Sequence, residues 1–473
     1  VNQKEFVTAV ICGGDTRAKR LPLIFDTLAF MSEHVIDTVL RVRVEHRPGQ
    51  LARLTNTIAE AGGLIGDIST INVGETATLR DVTIETIDEE QTMRVVTCIG
   101  EIDGVEVMET TDRVFEAHRG GKLHSTSRVH LDQLADMRSI YTPGVARVSR
   151  AIVNDASRAW ELTSIGNSVG IFTNGSRVLG LGNIGPLASM PVMEGKAVLY
   201  DELVDISATP ILVDTLDPME FVDTVMRISH TFGGIHLEDI RIPDCYAIED
   251  ELRRLLRKPV MHDDQHGTAT VTLAAVINAC RITDRDLKRS RAGMIGLGAA
   301  GSAIAKLAVS YGVGEVLVAD TSADAVRRVA AAGAIASDMD TIMAEADIVI
   351  AATGCPGLID ARAVRKGQVI FALTNPKPEI FPSDARGAGA AFAGDGRSIN
   401  NALAFPGLFR GALQARSSAI TTEMLIAAAE TIASLAAPGD VVPSCLDRGV
   451  HQAVARTVFE TATRMGLAGT AIL

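Results

Sequence analysis

The sequence lacks any excess of positive charge: 45 Lys and Arg stand against 58 Asp and Glu, a formal net charge of −13. A nucleic-acid partner calls for a basic face, and no dense Lys/Arg cluster with interleaved aromatics occurs, so none is expected. Paired cysteine spacings are missing too. Cys12, Cys98, Cys245, Cys280, Cys355 and Cys445 are scattered, with no CxxC or other metal-type spacing, which argues against a disulfide framework and reads as reduced thiols in the cytoplasm. No apolar run reaches the length of a membrane span, and the first thirty residues lack the charged-then-apolar order of a signal peptide. Neither a membrane nor export is expected.

What is there is length and apolar content. At 473 residues, 47% hydrophobic and 22% charged, the chain can bury more than one core, and its length suggests about three domains. Residues 1–30 show no clear period and lead into "MSEH", so residues 1–36 are expected to be an extension, disordered or outside the natural chain. From Asp37 the pattern sharpens. "DTVLRVRVEH" alternates like a strand, "RPGQLARLTNTIAEAGG" is an amphipathic helix with Pro48 near its start, and "LIGDISTINV" and "LRDVTIETI" alternate again. A weaker helix near "EEQTMRVVTCIGE" and a strand near "VEVMETTDRV" complete β-α-β-β-α-β, the split ferredoxin-like arrangement. With "HRPGQLARL" and "AEAGG", residues 37–118 resemble an ACT domain, which implies a regulatory α+β module with a small-metabolite effector. A ferredoxin-like dimerisation module without ligand is the alternative.

Beyond "HRGGKLHSTS" strands and helices alternate, giving an α/β class for the rest of the chain. "MIGLGAAGSAIAKLAVSYG" follows a short strand and opens a helix, and "EVLVAD" ends in Asp320. Gly296, Gly298 and Gly301 thus sit in a Rossmann-type dinucleotide context: glycine lets the backbone approach the pyrophosphate, the helix N-terminus faces its charge, and Asp320 can bond the ribose hydroxyls. "GLGNIG" at 180–185 fits the same spacing, but Pro186 and Pro191 follow, so no long helix is expected there. It follows "SVGIFTNGSRVLG", two alternating runs that read as a hairpin turning at Asn174-Gly175. The glycines imply tight backbone passage beside a site. Lys196, just beyond, is either part of that site or a solvated surface lysine.

"PVMHDDQHGTA" places two adjacent carboxylates where an apolar run meets a buried-looking helix. Helix capping would explain one of them. Upstream, however, "TFGGIHLEDI" also reads as a strand ending in acids, and "DCYAIEDELRRLLRK" as the crossover helix between the two. Parallel strands joined in this way bring Glu238, Asp239, Asp263 and Asp264 to one edge. Crowded carboxylates repel unless protonated or neutralised, and hard oxygen ligands favour Mg²⁺ or Mn²⁺.

Taken together, "YTPGVA", "LGLGNIGPLASMPVMEGKAVLY", "FGGIHLEDI", "PVMHDDQHGTA", "TNPKPE" and "NNALAFPGLFRGAL" resemble the malic enzymes of the short bacterial type over roughly residues 125–420. The resemblance implies a substrate and metal domain over 119–280 and a NAD-binding Rossmann domain with C-terminal helices over 281–473. It makes Glu238, Asp239 and Asp264 metal ligands with Asp263 behind them, Lys196 the general base and Tyr141 the general acid. Arg177, Asn375 and Asn401 fall at its substrate-binding positions. Asn174 and Asn183 depart from it, standing where the family often has aspartate. The implied reaction is divalent-metal-dependent oxidation and decarboxylation of (S)-malate to pyruvate and CO₂ with reduction of NAD or NADP. Asp320 favours NAD, because a carboxylate there repels the 2′-phosphate of NADP. A homo-oligomer, dimer or higher, is implied as well. The rival readings are a malolactic or other metal-dependent 2-hydroxy-acid enzyme and, more remotely, a non-catalytic metabolite sensor.

Overall fold

The computed structural model describes residues 36–472 apart from 179 and 398, and the extension expected over 1–36 lies almost entirely outside them. The chain divides between Glu116 and Ala117 into two compact units. The first holds β1 (Ile36–Glu45), β2 (Leu64–Val73), β3 (Ala77–Thr86) and β4 (Val105–Asp112) in one antiparallel sheet of order β2-β3-β1-β4. Helices Gln50–Glu60 and Glu89–Gly100 follow β1 and β3, so the element order is β-α-β-β-α-β. The alternation expected from sequence is visible in β1, where Leu40, Val42 and Val44 point into a core completed by Leu54, Ile58, Val95 and Ile99 from the helices. Asp88 starts the second helix by accepting a hydrogen bond from the Gln91 N–H.

The second unit contains two parallel sheets. One has the order β6-β5-β7-β8, from β5 (Ser168–Thr173), β6 (Ser207–Leu212), β7 (Gly234–Leu237) and β8 (Val260–His262). The other has the order β11-β10-β9-β12-β13-β14. It is built from β9 (Arg291–Ile295), β10 (Glu315–Ala319), β11 (Ile335–Ala336), β12 (Ile348–Ala351), β13 (Val369–Ala372) and β14 (Phe392–Asp395). Its first, second and third strands run outward on one side and the remaining three on the other, so the order reverses between β9 and β12. In open sheets of this kind ligands bind outside the carboxyl ends at that reversal. Gly296 occupies it with φ +90°, and a Cβ there would stand 2.6 Å from the Ala352 carbonyl oxygen. Only glycine fits.

Two local expectations are corrected. The hairpin expected in "SVGIFTNGSRVLG" does not form: β5 pairs in parallel with β6 and β7, and all six of its residues are buried. A strand covered on both faces needs no alternation, and the Asn-Gly pair turns the chain out of the sheet, not back along it. Nor do the prolines prevent a helix after the "GLGNIG" loop, because Gly185–Val204 is a helix of 20 residues. Pro186 lies in its first turn, where no intrahelical N–H partner is lost. Pro191 is accommodated inside the helix, and its carbonyl accepts a hydrogen bond from Lys122 Nζ at 2.7 Å.

Candidate active site

Both acidic pairs lie just past the carboxyl ends of adjacent strands, Glu238-Asp239 after β7 and Asp263-Asp264 after β8, and the parallel pairing of those strands brings them together. Helix capping does not account for the second pair. The Asp263–Ile282 helix has no side-chain cap at its N-terminus, and Asp264 Oδ2 instead accepts from the backbone N–H of Asp239 at 2.9 Å. Glu238, Asp239 and Asp264 each offer an oxygen, and the three lie within 4.8 Å of one another. Asp239 adopts φ +55°, a left-handed conformation uncommon for aspartate, and its buried Oδ2 has no hydrogen-bond partner. Backbone strain and an orphaned carboxylate oxygen in one residue are costs that a function has to justify.

Lys196 reaches this cluster from the Gly185–Val204 helix and is 9% exposed. Its Nζ lies 2.5 Å from Asp263 Oδ2, 3.2 Å from Glu238 Oε1 and 4.6 Å from the centre of the Phe405 ring. Burial pulls the ammonium toward its neutral form, but the charges of Asp263 and Glu238 outweigh it and hold Lys196 protonated. Burial also pushes Glu238 up to about 7 and Asp239 up to about 8, with neighbouring carboxylates adding to the push on both. Asp264 goes the other way. Burial raises it, but His262 alongside and the Asp239 N–H keep it ionised. The His262 Nε2 atom is 3.3 Å from Asp264 Oδ2.

Behind Glu238 stands a chain of groups that sequence reasoning missed. His236 Nε2 is 2.6 Å from Glu238 Oε2, and its Nδ1 is 2.9 Å from the Tyr200 hydroxyl. Burial lowers His236 to about 3, so the ring is neutral. It therefore donates from Nε2 to the carboxylate and accepts the tyrosine proton at Nδ1, which fixes its tautomer. The ring is stacked on Phe409 and set edge-on to Phe405. Glu249 does a similar service for the second acidic pair: its buried carboxylate accepts from the His262 N–H, Gln265 Nε2 and His266 Nε2. A histidine two residues before Glu238 inside an apolar strand was the available signal for the first chain. Glu249 offered none, because its helical position looks like an ordinary polar face.

The remaining expected residues are distributed unevenly. Asn401 is close: a side chain at Gly267 would stand 3.3 Å from its Cβ and collide with the Asp263 carboxylate. Arg177 is exposed, donates its backbone N–H to the Asp239 carbonyl, and carries its guanidinium to 3.9 Å from where a Cβ of Gly298 would stand. It thus spans from the carboxylates to the dinucleotide loop. Asn375 is exposed on the loop leaving β13, beside a cis Asn375-Pro376 bond, with its Nδ2 against Gly396. Tyr141 is 63% exposed and takes no part in the cluster. Asn174 and Asn183 are loop organisers: Asn174 binds Ser176 and the Thr215 carbonyl, and Asn183 accepts from the Gly185 N–H.

In the dinucleotide half, Gly301 lies against the Gly296 carbonyl so closely that a Cβ would overlap it, whereas a Cβ at Gly298 would make only ordinary contacts, with the Ile242 side chain at 3.7 Å and the Arg177 guanidinium at 3.9 Å. The first closes the helix onto the strand and the second leaves room for a phosphate. Asp320 follows β10, and its carboxylate accepts from the Leu297 N–H at 2.5 Å and the Ser322 N–H at 2.7 Å.

The cluster fits a hard divalent cation. Three convergent carboxylates, one unpartnered buried oxygen, and proton affinities of Glu238 and Asp239 raised by burial and by neighbouring carboxylates describe a site that a positive ion would relieve.

Residues 121–253 match the family described as malic enzyme, N-terminal domain, and residues 360–462 match malic enzyme, NAD binding domain. Between them, 255–359 match the NAD binding domain of D-isomer specific 2-hydroxyacid dehydrogenases. NAD-dependent malic enzyme 1 of Bacillus subtilis is 50% identical over 434 residues, covering 91% of this chain and 99% of its own. NAD-dependent malic enzyme of Geobacillus stearothermophilus is 36% identical over 459 residues, covering 92% and 96%. Among solved structures, malic enzyme from Pyrococcus horikoshii superposes with a TM-score of 0.71 at 36% identity, covering 76% of this chain and 92% of that one.

Proposed function

The chain belongs to the malic enzyme family, and from that premise we propose that it converts malate to pyruvate and CO₂ with reduction of NAD, using the Lys196–carboxylate cluster as its chemical centre. The observation that carries the reading is Lys196 Nζ held 2.5 Å from Asp263 and 3.2 Å from Glu238, beside three carboxylates that fit a divalent ion. Glu238, Asp239 and Asp264 would hold Mg²⁺ or Mn²⁺, which when bound polarises the C2 oxygen of the substrate through oxidation and decarboxylation. An ion there would offset the Glu238 and Asp264 charges and leave Asp263 as the main partner of Lys196, whose role is to take the C2 hydroxyl proton as hydride departs to the nicotinamide. Asp263 is the adjacent group to which that proton can pass. Arg177 and Asn401 would grip the substrate, with Asn375 approaching from the dinucleotide side.

Tyr141 is the proposed acid that protonates C3 after CO₂ is lost. Its exposure, together with that of Leu131, Leu134, Ile140 and Val153 in the same segment, supports a homo-oligomer in which a second copy brings Tyr141 to Lys196. The antiparallel first unit is proposed as a regulatory, ACT-like module for a small metabolite, on the strength of its β-α-β-β-α-β order. Among the described residues no helix is long and apolar enough to cross a membrane and every cysteine is free, which supports a cytoplasmic location.

The test is NADH formation from malate with and without Mn²⁺, in the intact chain and in Lys196→Ala. Metal-dependent NADH and pyruvate, both lost in the variant while nucleotide still binds, are expected. Lactate without net NADH would overturn the oxidative reading in favour of the malolactic one.

A further inference from the structure

Both arginines of the Ala323–Ala330 helix are engaged elsewhere than at the end of β10, and we propose that Tyr246 is a specificity-determining residue that withholds Arg328 from the adenosine ribose and so keeps the enzyme on NAD. The inference rests on the NAD-linked reaction proposed above and deepens it. Asp320 marks the end of the second strand of the dinucleotide fold, where ribose hydroxyls are bonded, and its charge opposes a 2′-phosphate. That opposition is incomplete when arginines follow in the next helix. Long side chains on a helix lean toward its N-terminus, so Arg327 and Arg328 are built to reach back toward Ser322 and the glycine loop and clamp a phosphate there.

The structure disposes of the two differently. Arg327 pairs with Asp324 one turn back, with both side chains at least 70% exposed, and such a pair gives way readily to a better partner. Arg328 lies over the ring of Tyr246 with its guanidinium carbon 4.6 Å from the ring centre, and its Nε is buried with no hydrogen-bond partner. Tyr246 comes from the Asp244–Leu255 helix, the crossover between the strands that present the carboxylates. Its hydroxyl is buried and completes no hydrogen bond. Burial pushes its pKa up, and Ser302, in the first turns behind the glycine loop, stands near enough to oppose the push. The tyrosine therefore sits between the loop that takes the pyrophosphate and the arginine that could take a second phosphate. Cation–π contact strengthens as the guanidinium loses water, so Arg328 is the harder of the two to redeploy.

The experiment is Tyr246→Leu in the full chain, with NADPH and NADH dissociation constants measured by fluorescence titration without malate or metal, and kcat/KM for NADP and NAD measured with both. Affinity for NADPH relative to NADH should rise by about tenfold or more, the scale of one charge-assisted hydrogen bond. Adding Arg328→Ala should return the ratio to that of the parent. An unchanged ratio in Tyr246→Leu with NADH binding intact would overturn the proposal. Arg328→Ala alone gives a second arm that does not touch the tyrosine: unchanged NADPH binding is expected, and a tenfold loss would overturn it by showing that Arg328 already reaches the phosphate. Failure of the parent chain to make NADH from malate, or a clear preference for NADP, would instead refute the reading on which the inference stands.

Discussion

Replacing Gly267 by alanine is a one-methyl change that ordinary helix energetics favours. Alanine in a helix interior is worth about 1 kcal/mol over glycine, and Gly267 sits in the second turn of the Asp263–Ile282 helix. The site reverses the sign. A Cβ at 267 would lie 2.8 Å from Asp263 Cγ and overlap Oδ1, so the carboxylate has to rotate away, and with it the oxygen that holds Lys196 Nζ at 2.5 Å. Losing one hydrogen bond between charged groups costs about 1.5–3 kcal/mol, and an off-rotamer aspartate about 0.5–1.5 kcal/mol more. Against the helix gain, Gly267→Ala should come out roughly 1–3.5 kcal/mol less stable. A base displaced by an ångström loses on the order of 100-fold in rate, so kcat should fall far more than stability. Gly387→Ala, at a helical glycine with nothing within 4 Å of its Cβ, is the control and should be neutral or stabilising. Urea unfolding and initial rates of NADH formation at saturating malate and Mn²⁺ measure both quantities. A Gly267→Ala enzyme with parental kcat would refute the argument that Asp263 must stay where it is to serve Lys196.

Three further outcomes are expected. Adding Mn²⁺ to metal-stripped protein should raise its melting temperature, and Asp239→Asn should abolish most of that rise while leaving NADH binding intact; an unaltered rise would remove Asp239 from the ligand set. If two copies share each site, mixing inactive Lys196→Ala with inactive Tyr141→Phe and allowing subunits to exchange should restore up to about a quarter of parental activity, by random pairing of symmetric dimers; no recovery in verified heterodimers would confine both residues to one chain. Deleting the residues through Glu116 should leave the second unit folded, because each unit has its own core, and should remove any metabolite sensitivity of the full chain. Loss of soluble protein together with an insensitive full chain would favour a purely structural role.

Much of this was legible in the residues. The acids at 238–239 and 263–264 could be brought together from sequence because two strand-like runs joined by an amphipathic segment have one handed solution, and β7 and β8 adopt it. The glycine spacing at 296–301 was readable because strand, loop and helix follow one another without interruption. Legibility failed where burial erased the pattern. β5 is covered on both faces, so the alternation read there reported no exposed face, and the asparagine-glycine pair after it suggested a turn that the parallel sheet does not make. The prolines at 186 and 191 look like helix breakers until their positions in the first two turns are known. Glu249 and Tyr246 were invisible for a different reason: each acts on another element, and a single chain of letters does not record which faces meet.

The Asp263–Ile282 helix begins at the lysine's partner and a proposed metal ligand and spans about 30 Å of the interior. Ala269, Ala274, Ala275 and Ala279 along it are buried, and it packs against both the Ala299–Tyr311 helix behind the glycine loop and the Thr422–Ser434 helix. Small side chains allow close approach but leave no compressible layer between the rods. A rod clamped along its length transmits displacement instead of absorbing it, so the buried alanines tie the position of the acids at its N-terminus to that of the helix behind the glycine loop. Enlarging Ala275 to valine, far from any reacting atom, would then be read out as a changed turnover number before it is read out as a changed fold.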